Sequence, residues 1–126
     1  MKTAEDTAHI MVVEDEEAIS EFITMFLKDE GYQVTNATDG TEALKLLQQP
    51  EFRPDLILLD MRMPEMDGLA FSQAYRKLTL PLAPIILLTA ASDSSDVIGQ
   101  INPSAYLAKP FDLDQLIALV ENLVKK

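Results

Sequence analysis

Apolar residues fall along the chain in two alternating patterns. The first is an unbroken run: Ile10-Met11-Val12-Val13, Leu56-Ile57-Leu58-Leu59 and Ile85-Ile86-Leu87-Leu88. Runs of this length suit strands buried on both faces, as in a parallel sheet. Two weaker stretches, 33–37 with Val34 and Thr35 and 105–108, read as shorter strands. The second pattern is helical. Ala18, Ile19, Phe22, Ile23, Phe26 and Leu27 make one stripe, which Gly31 closes as a C′ residue. Asp39, with Glu42 three residues on, opens a second helix carrying Ala43, Leu44 and Leu47, and Pro50 marks its end. Asp67 opens a third with Phe71, Ala74, Tyr75 and Leu78 on one side, and Pro81 and Pro84 bound the loop after it. The stretch 90–100 is rich in Ser and Asp; only Val97, Ile98 and Ile101 anchor it and Gly99 weakens it, so a short helix is expected there. Leu113, Leu116, Ile117, Val120 and Val124 pattern the last helix, with Lys125 and Lys126 at its favourable dipole end. Strict strand–helix alternation gives an α/β fold of five βα units: a parallel sheet covered on both faces and joined by right-handed crossovers.

The carboxyl ends of parallel strands share one rim, where open α/β sheets place their ligand crevice. Glu14 and Asp15 follow the first strand, Asp60 the third, Thr89 the fourth and Lys109 the fifth. Three carboxylates drawn together repel and raise one another's pKa, and a hard divalent cation relieves that. Mg²⁺ suits an all-oxygen site. Lys109 is a point charge able to pair with Asp60 or with a phosphate on it, and Thr89 offers a hydroxyl to the same oxygens. Such a rim fits a carboxylate nucleophile that forms an aspartyl phosphate. Each residue alone has an ordinary reading. Asp60 could simply end a strand as a solvated turn residue, and Glu16 and Glu17 could be acids placed for a helix dipole. The specific signal is the whole set at the ends of the right strands.

Composition narrows the function classes. The 126 residues suit one domain, with 1–8 a short flexible lead-in and 9–126 the folded unit. A net charge of −11 argues against direct nucleic-acid binding by this domain, which needs clustered Lys and Arg. Without cysteine, thiolate metal sites and disulfides are excluded, in keeping with a cytoplasmic setting. No apolar run approaches the roughly 20 residues of a membrane span, and residues 1–9 lack the apolar core of a signal peptide.

The segments Val12-Val13-Glu14-Asp15-Glu16, Leu59 to Leu69 around Asp60, Leu88-Thr89-Ala90 and Tyr106-Leu107-Ala108-Lys109-Pro110-Phe111 together closely resemble the receiver domain of two-component response regulators. The resemblance covers about residues 9–124. It implies a flavodoxin-like, doubly wound sheet of strand order 2-1-3-4-5. It implies a regulatory phosphoacceptor rather than an enzyme acting on an outside substrate. Asp60 would be phosphorylated by a histidine kinase or histidine phosphotransfer protein. Glu14, Asp15, Asp60 and the Met61 carbonyl would hold Mg²⁺, and Thr89 and Lys109 would contact the phosphoryl oxygens. Thr89 and Tyr106 would form the switch, and the bond before Pro110 would be cis. Output would pass to a downstream effector protein or to a C-terminal output domain beyond this chain.

This chain departs from the family pattern in places. Glu14 stands where Asp is frequent. Arg62 lies two residues past Asp60 and Ala91 two past Thr89; both are expected to tune phosphoryl lifetime. The segment from Thr89 to Lys109 is about two residues shorter than usual, and Asn102-Pro103 replaces the typical Gly-Ala, so the fourth helix should be cut short. A haloacid-dehalogenase-like phosphatase is the main rival, but it needs an acid–base Asp where Arg62 stands. A flavin or nucleotide site would need a phosphate-cradling loop where Glu14-Asp15-Glu16-Glu17 lies. The complete acid, Thr and Lys set argues against a receiver-like domain that is never phosphorylated.

Overall fold

A computed structural model describes residues 7–61, 63, 66–78, 82–90 and 93–124. Strands β1 (His9–Val13), β2 (Gln33–Ala37), β3 (Leu56–Asp60), β4 (Ile85–Thr89) and β5 (Ala105–Ala108) make one parallel sheet in the order β2-β1-β3-β4-β5. Between and after them run α1 (Glu17–Asp29), α2 (Gly40–Leu47), α3 (Gly68–Arg76), α4 (Ser95–Ile101) and α5 (Leu113–Val124).

The unbroken apolar runs serve two cores at once, because side chains alternate across a strand. Met11, Val13, Ile57, Leu59, Ile85 and Leu87 face Ala43, Leu47, Phe71, Tyr75 and Ile101 of α2, α3 and α4. Ile10, Val12, Leu56, Leu58, Ile86 and Leu88 face Ile23, Leu27, Leu116 and Val120 of α1 and α5. All of the strand residues just named are 4% exposed or less, and burying each large one stabilises the fold by roughly 1.5–3 kcal/mol. The edge strands β2 and β5 lack this continuous burial, which explains their weaker sequence signal.

The helix ends follow the residues expected to make them. Asp39 accepts the Glu42 N–H at 2.8 Å, and Asp67 accepts the Ala70 N–H at 2.9 Å. The Glu42 carboxylate reaches back to the Thr38 N–H at 2.6 Å, one residue before the cap. Gly31 closes α1 at φ +97°, with the Gly31 N–H donating to Lys28 O and the Tyr32 N–H to Leu27 O, a Schellman arrangement. Short α4 spans seven residues. It stops where Asn102 turns left-handed at φ +53° and Pro103 cannot continue the helix. Arg76 at the end of α3 donates to the Asn102 carbonyl at 3.0 Å.

The expected stripe on α1 is too wide. Ser20, Ile23 and Leu27 are its buried row, whereas Phe22 is 60% exposed and Ala18 also faces solvent. Ala18, Phe22 and Met25 fall at spacings of four and three, so they form a separate row beside the buried one. Arg62, Pro64, Pro81, Ala91, Lys125, Lys126 and residues 1–6 lie outside the described residues. Ala8, placed by sequence in the lead-in, already accepts the Gln33 N–H at 3.0 Å.

Candidate functional site

Strand register assembles the rim. Val13 pairs with Leu59, Asp60 with Leu88 and Thr89 with Ala108, so the residues that end or follow these strands come level. The Glu14 N–H donates to Ala37 O at 3.1 Å, the Met61 N–H to Leu88 O at 3.0 Å and the Lys109 N–H to Thr89 O at 2.7 Å. These bonds carry the sheet ladder one residue past each strand, so functional side chains stand on ordered backbone.

Carboxylate oxygens of Glu14, Asp15 and Asp60 lie within 4.8 Å of one another. Asp15 is exposed, but Glu14 and Asp60 are 1% and 4% exposed. Asp60 is therefore not a solvated turn residue. Lys109 Nζ donates to Asp60 Oδ1 at 3.0 Å and stands 3.7 Å from Glu14 Oε1. Glu14 Oε2 accepts the Glu16 N–H at 3.3 Å, while buried Oε1 has no hydrogen-bond partner.

Burial, then the charge of Asp60, pushes the Glu14 carboxyl up to about 7 against the pull of Lys109 and the Glu16 N–H. A protonated Glu14 can share its proton with Asp60; an ionised one leaves Oε1 orphaned. Burial by itself lowers the Lys109 pKa, but the hydrogen bond and charge of Asp60, aided by Glu14 and Glu16, outweigh it and leave the ammonium raised. One lysine thus faces two buried carboxylates and an exposed third. An orphaned oxygen and an all-oxygen donor set fit a hard divalent cation such as Mg²⁺.

A cleft of about 240 Å³ opens here, lined by Asp15, Glu16, Asp60, Met61, Ala90 and Lys109. A larger groove of about 660 Å³ adjoins it along α1 and shares Asp15. That groove lacks Asp60 and Lys109, so the chemistry belongs to the smaller cleft. Thr89 is buried at the end of β4 and is not on the cleft wall; its neighbour Ala90 is. The Met61 carbonyl accepts the Gly68 N–H at 2.9 Å, so one of its two lone pairs is already engaged. Tyr106 is 59% exposed, and the Lys109–Pro110 bond is cis. Glu16 and Ala90 are cleft residues to which sequence reasoning gave no site role; the Glu14-to-Glu17 acid run and the position next to Thr89 were the available signals.

A family model described as the response regulator receiver domain matches residues 10–121. A probable transcriptional regulatory protein of Picosynechococcus is 38% identical over 94% of this chain and 50% of its own length. The chain thus spans about half the length of the curated relatives it matches. The Francisella response regulator 1452 receiver domain superposes with a TM-score of 0.83 at 32% identity, covering 94% of this chain and 98% of that one. Response regulator TrrA of Thermotoga maritima, solved in complex with Mg²⁺-BeF, superposes with a TM-score of 0.81 at 36% identity, covering 93% of this chain and 99% of that one. None of these matches supports the phosphatase alternative. The five-stranded order, the acid-lined cleft and these matches converge on one family: the chain belongs to the receiver domains of two-component response regulators.

Proposed function

We propose that Asp60 is the phosphoacceptor of a regulatory domain whose only chemistry is its own phosphorylation and dephosphorylation. The observation that carries this reading is the buried Asp60 carboxylate, within 4.8 Å of two further carboxylates and 3.0 Å from the Lys109 ammonium. The Asp60 carboxylate attacks phosphorus as the donor's bond to phosphorus breaks. When the donor is a phosphohistidine, the imidazole leaves and an acyl phosphate forms. Lys109, freed from Asp60 Oδ1, holds a phosphoryl oxygen, and Thr89 supplies its hydroxyl to another.

Glu14, Asp15 and Asp60 would hold Mg²⁺, with the free lone pair of the Met61 carbonyl as a further ligand. Bound Mg²⁺ supplies charge neutralisation among the carboxylates and along the transferring phosphoryl group. Phosphorylation then biases a two-state change in which Thr89 moves toward the phosphoryl group and exposed Tyr106 turns inward. Arg62 and Ala91 are assigned to tuning phosphoryl lifetime.

The donor is a histidine kinase or histidine phosphotransfer protein. Because the relatives are about twice as long, the signal passes either to an output domain joined to this one or to a separate effector protein. The surplus of 21 acidic over 10 basic residues supports a domain that does not itself contact nucleic acid. Among the described residues no helix is long and apolar enough to cross a membrane. The assignment to the cytoplasm rests instead on the receiver-domain family. The chain has no Trp, so a phosphate-affinity gel is the direct readout. Acetyl phosphate with Mg²⁺ should shift the parent protein and leave Asp60→Asn unshifted. An equal shift in both, or none in the parent, refutes the assignment.

A further inference from the structure

The peptide group joining Thr89 to Ala90 is held from both sides. Its carbonyl accepts the Lys109 N–H at 2.7 Å. Its N–H donates to the Asp93 carboxylate, Ala90 N to Asp93 Oδ2 at 2.7 Å. The Asp93 N–H in turn donates to Ala90 O at 3.0 Å. Ala90 lines the cleft around Asp60, and Thr89 precedes it. A side chain outside the cleft therefore fixes a peptide on the cleft wall.

We propose that Asp93 is a positioning residue that holds the Thr89–Ala90 peptide in its unphosphorylated setting and so restrains phosphorylation of Asp60. A phosphoryl group on Asp60 brings new acceptor oxygens and negative charge into a cleft of about 240 Å³. Both anions contend for the Ala90 N–H, and a charge-assisted bond of 2.7 Å is a strong one to displace. When the phosphoryl group takes this donor, the bond from the Ala90 N–H to Asp93 breaks. Ser94, the next residue, caps α4 through the Val97 N–H, so the exchange reaches the start of that helix. Competition at one N–H thus links the chemistry at Asp60 to α4.

This inference rests on Asp60 being the phosphoacceptor, and the test separates the two. The parent, Asp93→Ala, Asp93→Asn and Asp60→Asn are each treated with acetyl phosphate and Mg²⁺. Phosphorylation rate, phosphoryl lifetime, melting temperature and the Ala90 amide resonance are followed. Asp93→Ala should be phosphorylated about tenfold faster and hold the group longer, at an unchanged melting temperature to within a few degrees. Its Ala90 amide, before phosphorylation, should already have left the parent position. Asp93→Asn keeps an acceptor without the charge and should fall between. A parent phosphorylated on Asp60 with Asp93→Ala equal or slower overturns the role of Asp93 alone. If Asp93→Ala does not fold, Asp93→Asn at the parent rate overturns it equally. If no protein in the set is modified, or Asp60→Asn is modified like the parent, the phosphoacceptor reading falls and takes this one with it.

Discussion

Glu14 is the residue on which the electrostatics of the site turns. Its folded pKa of about 7 lies above the ordinary value of 4.5, chiefly because it is buried and next because Asp60 is charged beside it. The folded state therefore binds a proton that the unfolded state has lost. The stability linked to Glu14 is fully present below about pH 4.5 and disappears as the pH rises through about 7. Without divalent metal, the unfolding free energy should fall between about pH 5 and about pH 8 by an amount on the order of 1–3 kcal/mol, melting temperature should fall with it, and Glu14→Gln should flatten that slope. Mg²⁺ should oppose the fall, because it binds the ionised carboxylates, and its apparent affinity should weaken below about pH 7 as protons compete for Glu14. Titrating melting temperature against Mg²⁺ at two pH values checks both statements. A slope that is the same with and without metal would remove Glu14 from the ligand set. Sequence placed Glu14 at the right strand end but could not give its burial. That depends on Ala37, Asp60 and Lys109, which are 23, 46 and 95 residues away along the chain.

At the scale of elements, local chemistry was the most legible part. Asp39, Asp67 and Gly31 each mark a helix end with a residue whose side chain or backbone freedom does the work locally. Gly31 gives a clean measurement. Apart from Gly31 and its chain neighbours, no atom lies within 4 Å of where its Cβ would stand, so Gly31→Ala adds no tertiary clash and tests only the left-handed backbone at φ +97°. It should lose about 1 kcal/mol, a few degrees in melting temperature, with Mg²⁺ binding unchanged. An unchanged melting temperature would mean that the end of α1 rearranges. Less legible were features that depend on how an element is rotated. Phe22 has the spacing of a stripe residue, and only the packing of Ile23 and Leu27 against β1 and β3 residues shows it to lie outside. The Asp93 contact was missed for a related reason: an Asp three residues after Ala90 is an ordinary turn signal, and only the fold shows that Ala90 belongs to the cleft.

For the whole molecule, the sheet converts distance along the chain into proximity. Lys109 reaches Asp60 across 49 residues because β4 pairs with both β3 and β5. This much followed from strand–helix alternation alone, since every crossover returns the chain in the same direction. The order of the strands did not, because it depends on which way each crossover turns along the sheet. A contact between remote segments shows the same effect in packing. A Cβ built on Gly40, the first residue of α2, would stand 2.8 Å from Met66 Sδ and 3.0 Å from its Cγ, in the loop that follows Asp60. Helix propensity favours Ala over Gly at such a position by up to about 1 kcal/mol, yet an added Cβ obliges the Met66 side chain to shift. The two sites are therefore epistatic in sign. Gly40→Ala should destabilise the parent, and the same change in a Met66→Ala background should be neutral or stabilising. A double-mutant cycle by denaturant unfolding reads the coupling directly, and additive effects would show that the loop moves aside freely. Among descendants of this sequence, a side chain at position 40 should be better tolerated once position 66 has become smaller, so the Gly40–Met66 packing biases the order of substitutions and not only their identity.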